Sequence, residues 1–301
     1  MATLSQRVAK NALFQMVGKG LSVVIGAVAF SFMARYLGKE GYGDYTTITT
    51  FAIFFSTMAD FGFYFIAVRD ISKPNARGAR IFGNAFTMRL VASVFFVLLA
   101  PLVAVLFFDY SSHVELGILI AAFSTFFISI NQILVAIFQK VLRTDQVALA
   151  EVAGRLVFLG SIVVLTLFDY GVLSFVWALG VSNFINFGIL FLSSRNFLKF
   201  RLQYDKEKWA KIFKAAWPIG LVIIINLFYF RFNIILLSAL KPAEDVGIFG
   251  AAYKIIEILI ALPAIFVGLV IPLLSRFLEE NKRKFREVFD RSFNALILIA
   301  V

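Results

Sequence analysis

The sequence predicts an all-α membrane protein, a polytopic helical bundle made of one six-helix lobe and the start of a second. Three observations predict it. Of 301 residues, 61% are apolar and 16% charged, with a mean hydropathy of +0.90, whereas a soluble domain carries about a quarter charged residues. The apolar residues gather into runs of the length that crosses a hydrocarbon core about 30 Å thick, about 20 residues. One loop motif recurs 204 residues downstream with six such runs in the period, as a repeat architecture requires.

Eight runs meet the length requirement, near 12–36, 45–67, 81–107, 114–138, 156–169, 172–193, 216–238 and 248–275. The fifth is short and is expected to begin earlier, within the weakly polar stretch Gln146 to Arg155. The first follows basic Arg7 and Lys10 but is longer than a signal-peptide core and lacks a cleavage site, so it counts as a span. The chain stops at Val301, partway into what reads as a ninth run. A helix ending in hydrocarbon leaves carbonyls unpaired, so the sequence is expected to be a piece of a longer protein.

Lys and Arg in the short loops set orientation. Arg7, Lys10, Lys19, Arg69, Lys73, Arg77, Arg80, Lys140, Arg143 and Arg155 fall on one side, with the basic residues of 195–214 and 276–291, making 23 against three (Arg35, Lys39, Lys241) on the other. A cytoplasmic N-terminus in a cell membrane is therefore expected. The net charge of +11 is assigned to loops facing anionic lipid rather than to nucleic acid. No Cys and a single His, His113, exclude disulfides, thiolate nucleophiles and histidine metal clusters. No catalytic residue, metal or cofactor is expected, and the chain reads as a non-enzyme. The outer loops are too short to hold the acid–base pair or carboxylate cluster of a membrane glycosyltransferase.

The recurring motif is Leu37-Gly-Lys-Glu40-Gly-Tyr-Gly43-Asp-Tyr45, matched by Leu240-Lys-Pro-Ala-Glu244-Asp-Val-Gly247-Ile-Phe249. Either the lobes repeat, as in secondary transporters with a site at the repeat interface, or two turns chose the same residues, Gly for positive φ and an aromatic for the interfacial belt. The repeat divides the chain into a first six-helix lobe (1–194), a basic amphipathic linker on the cytoplasmic surface (195–215) and an incomplete second lobe (216–301). The linker reading rests on Trp209, Ile212, Phe213 and Ala216 at helical spacing, with Lys206, Lys208, Lys211 and Lys214 among them.

A charge at the bilayer centre costs at least about 2.5 to 3.5 kcal/mol, so those that persist are paired, wet or functional. Arg231 and Lys254 lie at similar depth in one hairpin, and Glu257 is three residues past Lys254 on the same helix face. They form either a self-neutralising cluster or a net positive cavity wall that binds an anion. Arg89 and Lys19 either snorkel or line the cavity as further cations. Asp60 and Glu257 are the carboxylates available for coupling or charge balance. Asn226, Asn233 and Asn84 are polar cavity candidates, and otherwise bond between helices. Four cations (Lys19, Arg89, Arg231, Lys254) against two carboxylates make an anion the expected passenger.

The segments MARYLGKEGYGDY (Met33 to Tyr45), MADFGFYFIAVRDIS (Met58 to Ser72) and the stretch from Tyr229 to Arg276 resemble the polysaccharide-biosynthesis exporters. These are the O-antigen or lipid-linked oligosaccharide flippases of the multidrug/oligosaccharidyl-lipid/polysaccharide exporter superfamily. The resemblance implies two lobes around a central cavity. It also implies alternating access that carries a polyprenyl-pyrophosphate-linked glycan to the outer leaflet, in association with glycan-assembly enzymes. The alternative within the superfamily is a multidrug or cation extruder, which would want carboxylates at depth. One departure is Asn233, where such proteins commonly show an acidic residue.

Overall fold

The structure, a computed structural model, describes residues 4–73, 78–280 and 282–300. Arg77 and Val301, both used in the sequence reading, lie outside the described residues. Nine helices and no strand occur among the described residues: α1 (Leu4–Met58), α2 (Phe63–Ile71), α3 (Gly78–Phe107), α4 (Ser112–Lys140), α5 (Thr144–Leu167), α6 (Val172–Ser194), α7 (Lys206–Leu240), α8 (Ala243–Glu280) and α9 (Lys282–Ala300). Six described stretches are long and apolar enough to cross a membrane: Phe14–Met58, Gly78–Phe107, Ser112–Lys140, Thr144–Leu167, Val172–Ser194 and Lys206–Leu240. This is a multi-pass membrane protein.

The first two expected spans are two arms of α1. They meet at Gly38, whose φ of 66° and ψ of −171° break the helix, a conformation that glycine alone reaches without strain. The arms fold back on each other. Phe30 and Tyr42 would be about 18 Å apart along a straight helix, yet their ring centroids are 5.4 Å apart. The second arm stops at Met58 rather than at residue 67 as expected, because Phe61 (φ 43°) and Gly62 (φ 80°) turn the chain out of the helix before α2. α5 begins at Thr144, so the fifth span starts upstream of residue 156, as its shortness required. Ser111 caps α4, its hydroxyl accepting from the Val114 N–H at 3.4 Å.

Two apolar cores stack along the first seven helices. The core toward the Gly38 end gathers Ala29, Met33, Tyr42, Ile48, Phe51, Ile118 and Phe175. The core toward the opposite, basic end gathers Ile71, Phe82, Phe86, Ile133, Ile137, Phe138 and Leu190. Arg89, Ser93, Ser124 and Ser129 are buried between them.

Residues 198–205 form an irregular strap, and 206–215 are the first turns of α7. The expected separate interfacial helix over 195–215 is therefore not present. The strap is zipped onto α3. Phe200 sits 4.7 and 4.9 Å from the rings of Phe82 and Phe86, the Gln203 N–H donates to Thr87 Oγ1 at 3.0 Å, and Gly83 leaves room for the Arg201 carbonyl oxygen. The apolar positions of the amphipathic pattern are used for packing instead, with Ile212 and Ala216 buried in the basic-end core.

Asp205 ends the strap and caps α7, accepting from the Lys208 N–H at 3.3 Å and pairing with the ammonium of Lys208 at 3.1 Å and with Arg80 at 3.3 Å. Hydrogen bonds from the Lys208 side chain and then its backbone hold this carboxyl below its ordinary value of 3.8. A depressed folded value stabilises at pH above the unfolded value and is lost as pH falls through the folded one. Amide protection factors across the strap should therefore be high at neutral pH and fall as the pH drops below 3.8. In Asp205→Asn they should be low at both; equal protection factors in the two proteins at every pH would remove Asp205 as the clamp.

α1 and α8 cross tightly at the two copies of the recurring motif. A Cβ on Gly43 would strike the Ala243 carbonyl oxygen, and one on Gly247 would strike that of Lys39. Residues 39 and 243, like 43 and 247, are 204 apart, so the contact is reciprocal about a local two-fold axis. Thr46 and Gly250, also 204 apart, touch on the same line. Lys39 and Glu244 add an exposed ion pair at 3.0 Å. Small residues let helices approach this closely in lipid. Gly43→Leu should destabilise by at least about 1–3 kcal/mol, the usual cost of overpacking, because backbone stands in its way. Gly20→Leu, with open space around it, should be neutral; equal melting temperatures for the two variants would show that the crossing tolerates bulk.

Candidate functional site

Both arms of α1, with α4, α5, α6, α7 and α8, line a cavity of about 450 Å³. Six charged residues line it. Lys19, Glu151 and Arg155 stand on the wall built by the first six helices, and Arg231, Lys254 and Glu257 stand on the α7–α8 wall. The helices explain the grouping. Glu151 and Arg155 are four residues apart on one face of α5, while Lys254 and Glu257 are three apart on α8.

On the α7–α8 wall, Glu257 bridges two cations. Its Oε1 lies 2.6 Å from Arg231 Nη2 and its Oε2 lies 2.9 Å from Lys254 Nζ. Arg231 and Lys254 thus meet on one carboxylate. The cluster is not neutral, since two cations share one anion, and all three side chains stay 23–44% exposed. Tyr253 is fixed beside them, its hydroxyl donating to the Phe230 carbonyl at 2.6 Å. On the opposite wall, none of Lys19, Glu151 and Arg155 has an ion-pair partner within 4.0 Å among the described residues. Ser22 Oγ and Thr46 Oγ1 are buried in the cavity wall without a hydrogen-bond partner, leaving polar atoms there for a ligand to engage.

Several expected site residues are elsewhere. Arg89 neither snorkels nor lines the cavity: its side chain has 0% exposure. Its Nη1 donates to Asp60 Oδ1 at 2.7 Å, its Nη2 to Gln132 Oε1 at 2.7 Å and its Nε to the Ser129 carbonyl at 3.1 Å. The side chain points from α3 at α4 and at the break after α1. Asp60 is correspondingly the anchor of that break rather than a cavity carboxylate. Asn84 is buried and gives its amide N–H to the Arg80 carbonyl and to Gln203 Oε1 of the strap. Asn233 lies on an exposed face of α7 and lines neither cavity. Asn226 lines a second cavity, of about 610 Å³, between α1, α7 and α8.

Glu151 and Arg155 are the members that sequence reasoning missed. Arg155 was counted with the loop cations because the fifth span was started after it. The shortness of that span was the available signal: once α5 starts at Thr144, both residues lie well inside it. The charge balance survives the exchange, with Arg155 and Glu151 in place of Arg89 and Asp60, leaving four cations against two carboxylates.

A sequence profile described as polysaccharide biosynthesis protein matches residues 8–278. The chain belongs to that family. No curated protein matches it. Among solved structures, the family member described here is similar to the MATE multidrug transporter DinF-BH, with a TM-score of 0.65 and 16% identity over 99% of this chain and 71% of that one. It is also similar to a MATE family multidrug resistance transporter of the MOP superfamily in an outward-facing conformation, with a TM-score of 0.59 and 15% identity over 98% and 70%. A MOP superfamily transporter from Pyrococcus furiosus, described as having a binding pocket of reverse polarity that suggests a different function, gives the same TM-score, identity and shares. At such identities the likeness establishes the fold, that of MOP superfamily transporters.

Proposed function

We propose that this family member is a transporter that flips an anionic, pyrophosphate-linked glycan lipid from the cytoplasmic to the outer leaflet by alternating access between its two lobes. One observation carries the reading: the cavity between the lobes is lined by Lys19, Arg155, Arg231 and Lys254 against only Glu151 and Glu257. Cations in a site of low dielectric attract phosphate oxygens through charge-assisted hydrogen bonds. The family's description points to polysaccharide biosynthesis, and the excess of loop cations on the side of Arg69, Arg80 and Lys140 supports a cytoplasmic basic end.

The multidrug-extruder reading is favoured by the solved structures of similar fold and by the aromatic lining of Phe30, Tyr42 and Phe158, which would suit an organic cation. The sign of the cavity charge opposes it. In proteoliposomes holding the protein, a fluorescent pyrophosphate-headed polyprenyl lipid should flip faster than in empty liposomes, and inorganic pyrophosphate should inhibit. Accelerated efflux of a cationic dye, indifferent to pyrophosphate, would assign the extruder instead.

A further inference from the structure

No residue of the strap or of α3 lines either cavity, so the cations of the strap serve no site described above. The strap divides its side chains between two faces. Phe200 and Gln203 are used on α3, and Asp205 is spent on Arg80 and Lys208. Lys199 and Arg201 of the strap and Lys206, the first residue of α7, are exposed, and none of them has an ion-pair partner within 4.0 Å among the described residues. Between these cations stand two large apolar side chains, Leu202 at 61% and Tyr204 at 71% exposure, and neither belongs to an apolar core.

Depth decides what meets this outer face. The strap runs beside Phe82, Gly83, Phe86 and Thr87, the first turns of a helix long and apolar enough to cross a membrane. Hydrocarbon begins at that level, and the strap lies at the end of the molecule where the loop cations gather. Unpaired cations interleaved with apolar side chains match a layer of phosphates resting on acyl chains, whereas an acidic protein would have to enter the headgroup layer to reach them. We infer that the outer face of the strap is a docking strip for acidic phospholipid headgroups, held by Lys199, Arg201 and Lys206 and anchored by Leu202 and Tyr204. This contact does not depend on what the cavity carries. Its consequence is mechanical: the strap leads through Asp205 into α7, so the acidic lipid content of that leaflet sets how firmly the base of α7 is tied to α3.

The chain has no cysteine, so Leu202→Cys can carry a single bimane fluorophore. The full-length chain is placed in phosphatidylcholine nanodiscs that hold a trace of nitroxide-labelled lipid, either phosphatidylglycerol or phosphatidylcholine with the same acyl chains. Nitroxide phosphatidylglycerol should be at least about fivefold the stronger quencher, because each Lys or Arg near an acidic surface contributes about a fivefold preference. With Lys199→Gln, Arg201→Gln and Lys206→Gln together, the two lipids should quench alike, while Lys199→Arg with Arg201→Lys and Lys206→Arg, which keeps the charge, should retain the preference. If the triple glutamine variant melts at a lower temperature, the three single variants replace it, and each should lose part of the preference. Equal quenching by the two lipids with the cations in place, or a preference that survives their removal, would overturn the strip. Quenching by neither lipid would show the face to be covered by protein, and would overturn it as well.

Discussion

Replacing Arg231 and Lys254 together by glutamine should weaken inorganic pyrophosphate binding about 100-fold and abolish glycan export in the complete protein while leaving expression intact. Each hydrogen bond to a charged group is worth about 1.5–3 kcal/mol, and two of them at the lower figure amount to two decades. The geometry adds a second result of opposite sign. Glu257 holds both cations, at 2.6 and 2.9 Å, so it competes with any incoming phosphate. Glu257→Gln should therefore bind pyrophosphate about tenfold tighter while exporting more slowly, because a tighter complex releases more slowly. Wild-type affinity in the double variant, or weaker binding in Glu257→Gln, would remove the cluster from anion recognition. Weaker binding in Glu257→Gln would favour a cationic passenger held by that carboxylate.

Arg89→Ala should cost about 3–5 kcal/mol of stability, the range for removing one partner of a buried ion pair. The truncation orphans Asp60 Oδ1, Gln132 Oε1 and the Ser129 carbonyl together. Asp60→Asn should cost less, since an amide oxygen can still accept from the guanidinium and Asp60 retains 15% exposure. The consequence extends to the contact with α7. The break that Asp60 anchors places Phe61 in a stacked contact with Phe213 of α7, 5.3 Å between centroids, and sets Gly62 beside Ile219 and the Ala216 carbonyl. Equilibrium unfolding in detergent checks the magnitude. Folded Arg89→Ala should keep its pyrophosphate affinity; lost affinity with unchanged stability would return Arg89 to the binding site.

The six membrane-length stretches were legible because lipid selects for length and apolarity, and both are counted directly on the chain. The recurring motif has a physical reason: Gly43 and Gly247 are both required by the one close crossing of α1 and α8. Charges were harder to place. Lys254 and Glu257 share a helix face through local spacing, and the sequence displays that. Nothing local distinguishes Arg89, aimed at α4, from Arg155, aimed into the cavity, because both are cations well inside a mostly apolar helix. Likewise, the alternation of apolar and basic residues over 206–215 fits an interfacial helix and the first turns of a spanning one equally well.

The sequence by itself determined that the protein lives in lipid, that its apolar runs form long helices, how its charge is distributed along the chain, and that one turn recurs 204 residues downstream. Tertiary structure alone decided which cations face the shared cavity and which are spent between α3 and α4. Periodicity fixes a residue's direction relative to its own helix axis, whereas the rotation of that helix against its neighbours depends on contacts distant in sequence, such as α3 on α4 and the strap on α3.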